Sequence, residues 1–145
     1  MKNFLTLTAL AVLFQLSACK DKNELSQHDQ NVSMITASNW GKPNVLNETD
    51  GDLSSQYADF LIVFNNKPAN NFDGTFVIGN GLYAFPETSG KWNFNGDFTK
   101  IIFDSGREID YKLSDGSLHL DLVVAPLGGR INGLSGHFTF DLKPL

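Results

Sequence analysis

Ile109-Asp110-Tyr111-Lys112-Leu113, then Ser114-Asp115-Gly116-Ser117, then Leu118-His119-Leu120-Asp121-Leu122 is the stretch that decides the fold. Apolar and polar residues alternate strictly on both sides of an Asp-Gly turn. That is the pattern of two half-buried antiparallel strands joined as a hairpin. A helix would place residues three and four apart on one face, grouping Ile109 with the charged Lys112.

The same period recurs outward from this hairpin. Thr99 to Phe103 puts Ile101 and Phe103 on one face, and Asp104-Ser105-Gly106 turns the chain. Trp92 and Phe94 alternate with Lys91, Asn93 and Asn95. Asn95-Gly96 suits a tight turn, because both residues tolerate positive φ. Further back, Thr75-Phe76-Val77-Ile78 is a short strand closed by Gly79-Asn80-Gly81, and Phe60, Ile62 and Phe64 alternate in the first clear strand. Tyr83 to Phe85 either continues a strand or forms an edge piece stopped by Pro86. Downstream, Ala125 to Gly133 reads as a loop. Phe138, Phe140 and Leu142 close the chain, with His137, Thr139 and Asp141 on the other face. About seven short strands and no helix imply an all-β antiparallel meander, curled into a small barrel or sandwich.

Composition narrows the function classes. The chain has 145 residues, enough for one domain. It carries 11 Lys and Arg against 16 Asp and Glu, a net charge of −5, which argues against a nucleic-acid partner. The single Cys excludes an internal disulfide and a Cys-based zinc site.

The N-terminus reads as an address. Met1-Lys2 is a short basic start, and Phe4 to Leu16 is an apolar run too short to span ~30 Å of hydrocarbon. Leu16-Ser17-Ala18-Cys19 resembles the lipobox of bacterial lipoproteins. The resemblance implies cleavage after residue 18, acylation of Cys19 and a membrane anchor that does not span the bilayer. Lys20 stands where an Asp would favour inner-membrane retention in enterobacterial lipoproteins, which implies the outer membrane. Lys20-Asp21 is similar to the short charged export signal of Bacteroidota surface lipoproteins, which implies display at the cell surface, with a periplasm-facing placement as the alternative. The organisation expected is a signal peptide over 1–18, a flexible tether over 19–38 and one β-domain over 39–145. The tether is rich in Asp, Asn, Gln, Ser and Lys, with few large apolar residues to bury. Trp40 to Gln56 is expected as a loop, since it holds Gly41, Pro43, Gly51 and the acids Glu48, Asp50 and Asp52.

Ser89-Gly90-Lys91-Trp92-Asn93-Phe94, with Lys100 to Asp104, Tyr111-Lys112-Leu113 and Leu118-His119-Leu120, resembles the lipocalin-like small lipoproteins of Bacteroidota. The resemblance spans Gly74 to Leu142 and implies a lipocalin-like barrel more than an activity. The Gly-x-Trp expected near the first strand is absent, since Asn39-Trp40-Gly41 has the reverse order. That argues against a deep ligand cup.

Signatures of catalysis are missing. The sequence has no Gly-x-Ser-x-Gly, no His-Glu-x-x-His and no phosphate loop, so neither catalytic residues nor a cofactor are expected. His119, His137 and Asp121 could face one another, but more converging ligands are needed for a metal, and none is expected. Glu48, Asp50 and Asp52 do not follow calcium-loop spacing. Glu108 and Asp110 read as surface charge beside Lys112. Trp40, Tyr57, Tyr83 and Trp92 are the aromatics that could stack on a sugar. Trp92 alternates at an inward position that suits a core, while Trp40, in a Gly- and Pro-containing loop, and Tyr83 are the ligand-binding candidates. The function expected is a non-enzymatic, lipid-anchored binding or accessory protein. Its partner would be a glycan, a small apolar ligand or an envelope protein. The alternatives are an envelope hydrolase using surface carboxylates and a purely structural envelope lipoprotein.

Overall fold

The computed structural model describes residues 24–114, 116–126 and 135–145. The signal segment 1–18, Cys19 and Lys20-Asp21 lie outside the described residues, as does most of the loop expected over Ala125–Gly133.

The tether region is not wholly a spacer, because its second half is helix α1 (Gln27–Thr36). Ser26 caps it, its Oγ accepting from the backbone N–H of Asp29 at 3.1 Å. Asp29 stands in the first turn, where a negative charge suits the helix dipole. The Ser26 hydroxyl also donates to the Asp29 carboxylate and holds its pKa below the usual carboxylate range. Only Asn31, Val32 and Ile35 are buried, a face too narrow to stand out in a polar stretch.

The strands are β1 (Asn39–Asn47), β2 (Gly51–Asp52), β3 (Leu61–Asn65), β4 (Gly74–Gly79) and β5 (Ser89–Phe94). They continue with β6 (Lys100–Phe103), β7 (Glu108–Ser114), β8 (Ser117–Val124) and β9 (Gly136–Pro144). Each of β3 to β8 pairs antiparallel with the next, and β1 pairs with both β3 and β9. The sheet therefore closes into a barrel of eight strands, with the two-residue β2 as an appendix on β1. Closure abolishes exposed edges. The deciding hairpin forms as its alternation requires, with Tyr111 opposite Leu120, Leu113 opposite Leu118, and Gly116 at φ +74° in the turn.

β1 replaces the start of the expected loop. It carries few large apolar residues, and Lys42, at φ +47°, sits where its register against β9 shifts between Gly41 and Asn44. The Asn95-Gly96 turn also differs from expectation. The left-handed residue is Phe98, at φ +57°. Asn95 Oδ1 accepts from the backbone N–H of Thr99 and Lys100 at 2.8 and 2.9 Å, stabilising a longer connection.

Small barrels of eight strands have interiors just wide enough for side chains to fill, and this one is filled. Trp92, Phe64, Phe76, Phe103, Phe138 and Phe140 are all buried. Phe76 and Phe103 stack with centroids 3.9 Å apart. Both ends are closed. At the proximal end α1 inserts Val32 and Ile35. At the distal end Tyr57 and Phe85 pack on Phe60 and Phe140.

The His28 imidazole Nε2 lies 2.8 Å from Asp73 Oδ1, and Asp73 Oδ2 accepts from the backbone N–H of Phe94. The hydrogen bond to Asp73 raises the His28 pKa, opposed by partial desolvation and aided by Asp29. A raised imidazole pKa stabilises the fold fully below the ordinary value of about 6.5, and that contribution fades as pH climbs through the folded-state value. His28 is largely solvated, so the effect should stay under ~1 kcal/mol. Thermal melts of His28→Gln should fall below those of the unaltered protein at pH 5.5, with the gap narrowing by pH 8. A gap constant with pH would mean that the charged pair does not fasten α1.

Candidate functional site at the distal end

With the interior occupied, chemistry has to be sought on the outside. The connection from β4 to β5, residues Asn80 to Thr88, is the most constrained part of the distal end. Asn80 sits at φ +55° and its Nδ2 donates to the carbonyl of Asp59 at 2.8 Å. Gly81 is buried, and a Cβ there would lie 2.6 Å from the Phe85 Cβ and carbonyl oxygen, so only glycine fits. Leu82 follows at φ +47°, a region that a branched aliphatic residue seldom adopts. Ala84 and Phe85 then return to the core.

Arg107 fixes the second half of the loop. Its Nη1 donates to Glu87 Oε2 at 2.9 Å, its Nη2 donates to the Ala84 carbonyl at 2.6 Å, and its guanidinium lies 5.3 Å from the Phe85 ring centroid. Ser105 Oγ donates to the other Glu87 oxygen at 3.0 Å. Arg107 and Glu87 are mostly buried, so this pair is screened less than one in open water. Between these anchors the tip presents Leu82, 49% exposed, and Tyr83, 52% exposed. An unfavourable backbone persists only where its surroundings over-determine it, and such positions cluster at functional sites.

Of the two aromatic candidates, only Tyr83 stands free. Trp40 is a correction to the sequence reading, being 4% exposed in β1, not on an open loop. Its indole N–H donates to the Ile35 carbonyl at 2.8 Å, so this side chain fastens α1. Trp92 is a core residue, as its inward position suggested, and Tyr57, also weighed for stacking, is fully buried and cannot meet a ligand.

The outer face of β6 to β9 is charged. Lys100 Nζ lies 3.1 Å from Asp110 and 3.6 Å from Glu108. His119 Nδ1 is 2.6 Å from Asp141, and His137 Nε2 is 2.5 Å from Asp121. The two histidines therefore do not converge, because each takes its own carboxylate across the β8–β9 ladder. Among the described residues no three His, Cys, Asp or Glu side chains are grouped closely enough to hold a metal ion. Nor does either imidazole hydrogen-bond a hydroxyl that it could activate, among the described residues. Asp52 is engaged by the Ser54 hydroxyl and N–H, which hold its pKa below the usual range.

Leu82, Glu87 and Arg107 were not singled out by sequence reasoning. Asn80-Gly81 and Pro86 marked a loop there, but the Arg107–Glu87 pairing spans 20 residues and carries no local signal. Neither a protein-family model nor a curated protein matches this sequence. Among the described residues, no helix is long and apolar enough to cross a membrane.

Proposed function

We propose that this protein is a lipid-anchored outer-membrane lipoprotein with a non-enzymatic accessory role, which binds an envelope protein through its distal loop. The observation that carries the reading is the display of Leu82 and Tyr83 on a loop pinned by Arg107 and Asn80. A rigid loop loses little conformational entropy on binding, and exposed aromatic anchors dominate interface energetics. The convex display suits a protein surface better than a small ligand, which needs a concave site. Leu16-Ser17-Ala18-Cys19 supports the anchor, and Lys20-Asp21 supports outward display. A hydrolase is less well supported, because the carboxylates of the β6–β9 face are engaged in cross-strand pairs in open solvent.

A photoreactive phenylalanine analogue in place of Tyr83 should give a discrete adduct in intact cells, and the same probe at Lys112 should not. Adding Leu82→Ser should abolish the adduct while the melting temperature stays within about 2 °C, as befits an exposed side chain. Cys19→Ala should move the protein out of the membrane fraction. Equal adducts from Tyr83 and Lys112 would remove the loop from this role, and unchanged fractionation of Cys19→Ala would remove the anchor.

A further inference from the structure

We propose that the proximal end of the barrel, closed by α1, rests on the lipid surface, so that the distal loop points away from the membrane. This orientation rests on the anchor at Cys19 proposed above. Chain length supplies the first argument. Glu24, the first described residue, follows Cys19 by five positions, and ~3.3–3.6 Å per residue sets a ceiling of about 17–18 Å on their separation. α1 begins only three residues later, and the barrel end that it closes is held close to the anchor.

The second argument is the chemistry of that end. Leu25, Met34 and Leu145 are large apolar side chains exposed there, and Phe98 and Leu113 are partly exposed beside α1. Met34, Phe98 and Leu113 line one shallow groove that Asn31, Asp97, Tyr111 and Lys112 share, which places them on a common rim of apolar and polar side chains. Leu145 joins that rim through its backbone N–H, which donates to the carbonyl of Asn39, where β1 leaves α1. Desolvating this ring on an acyl–headgroup boundary is favourable, and no buried ion pair has to be broken to do it. The nearby charges are of both signs, Asp29 and Asp97 against Lys112 and Lys143, so apolar contact and not charge selects the surface. Lying on the β6–β9 face would instead desolvate Lys100, Asp110, Asp121 and Asp141 with their partners. Competing apolar surfaces are the outer face of β3 and β4, where Val63 pairs with the exposed Val77, and the distal end, where Leu46, Leu82, Tyr83 and Val123 are exposed.

The test uses the full lipidated chain on vesicles of phosphatidylethanolamine and phosphatidylglycerol at 3:1. Single cysteines replace Met34, Val77 or Tyr83 and carry a polarity-sensitive dye, with a quencher placed on the lipid. Quenching at position 34 should exceed that at positions 77 and 83 at least threefold. Equal quenching at all three positions, or strongest quenching at position 77, would overturn the orientation. Flotation with the vesicles reports the anchor separately. If the unaltered chain does not float, or Cys19→Ala floats equally well, the anchor fails and takes the orientation with it. Flotation that depends on Cys19, with no preference for position 34, defeats the orientation alone.

Discussion

Trp92→Ala should destabilise the domain by about 3–5 kcal/mol, the range for truncating a buried aromatic. The indole is fully buried, edge-on to Phe64 at 5.3 Å and to Phe94 at 5.1 Å. Its N–H donates to the carbonyl of Thr75 on β4 at 3.1 Å. Truncation therefore opens a cavity between aromatic rings and removes the donor from a partly buried carbonyl. In a domain this size 1 kcal/mol corresponds to roughly 2–8 °C, so the melting temperature should fall by more than ~6 °C. Trp92→Phe keeps most of the ring and loses the N–H, and should cost about 1–2 kcal/mol. Thermal and urea melts of the two variants read both terms. A shift under about 2 °C for Trp92→Ala would mean that the barrel centre does not depend on this side chain.

Gly74→Ala should be comparably damaging although it adds one methyl group. Gly74 pairs directly with Trp92, and a Cβ built on it would lie 1.9 Å from the carbonyl oxygen of Asn65 and 2.8 Å from Trp92 Nε1. The first obstacle is backbone on the neighbouring strand, which cannot swing aside as a side chain can. Its φ is not in the left-handed region, so the penalty is steric. Overpacking typically costs 1–3 kcal/mol and occasionally more, and a loss of about 3 kcal/mol is expected here. Gly96→Ala is the control, because nothing lies within 4 Å of its Cβ position and its φ is not positive. That variant should be neutral or slightly stabilised through the unfolded state. Equal urea midpoints for the two variants would contradict the close approach of β3, β4 and the indole.

What the sequence reveals follows from how each element is stabilised. β3 to β9 bury one face each against a common interior, so their alternation is written in consecutive residues such as Leu118, Leu120 and Leu122. β1 stays hidden because closing the ring depends on backbone pairing to β3 and β9, with Gly41, Pro43 and Asn44 supplying little apolar period. α1 stays hidden because two buried aliphatic residues suffice once a barrel end is there to receive them. Trp40 shows the same dependence, since its Gly- and Pro-rich neighbourhood suggests exposure until Ile35 is folded against it. At the distal loop, the exposure of Tyr83 was readable from the turn residues around it. The rigidity of the loop was not, because it comes from Asp59, Ser105 and Arg107, which meet it only in three dimensions.

A filled barrel and a ligand cup make opposite demands on one measurement. If the interior is occupied by Trp92, Phe76, Phe103 and Phe140, no apolar ligand can enter without unfolding the core. Titration of the native protein with cis-parinaric acid, a fluorescent fatty acid, should then give no saturable signal and no rise in melting temperature. Saturable uptake of one molecule per chain, with a melting temperature that climbs with ligand concentration, would show an accessible interior and contradict an outward-facing function.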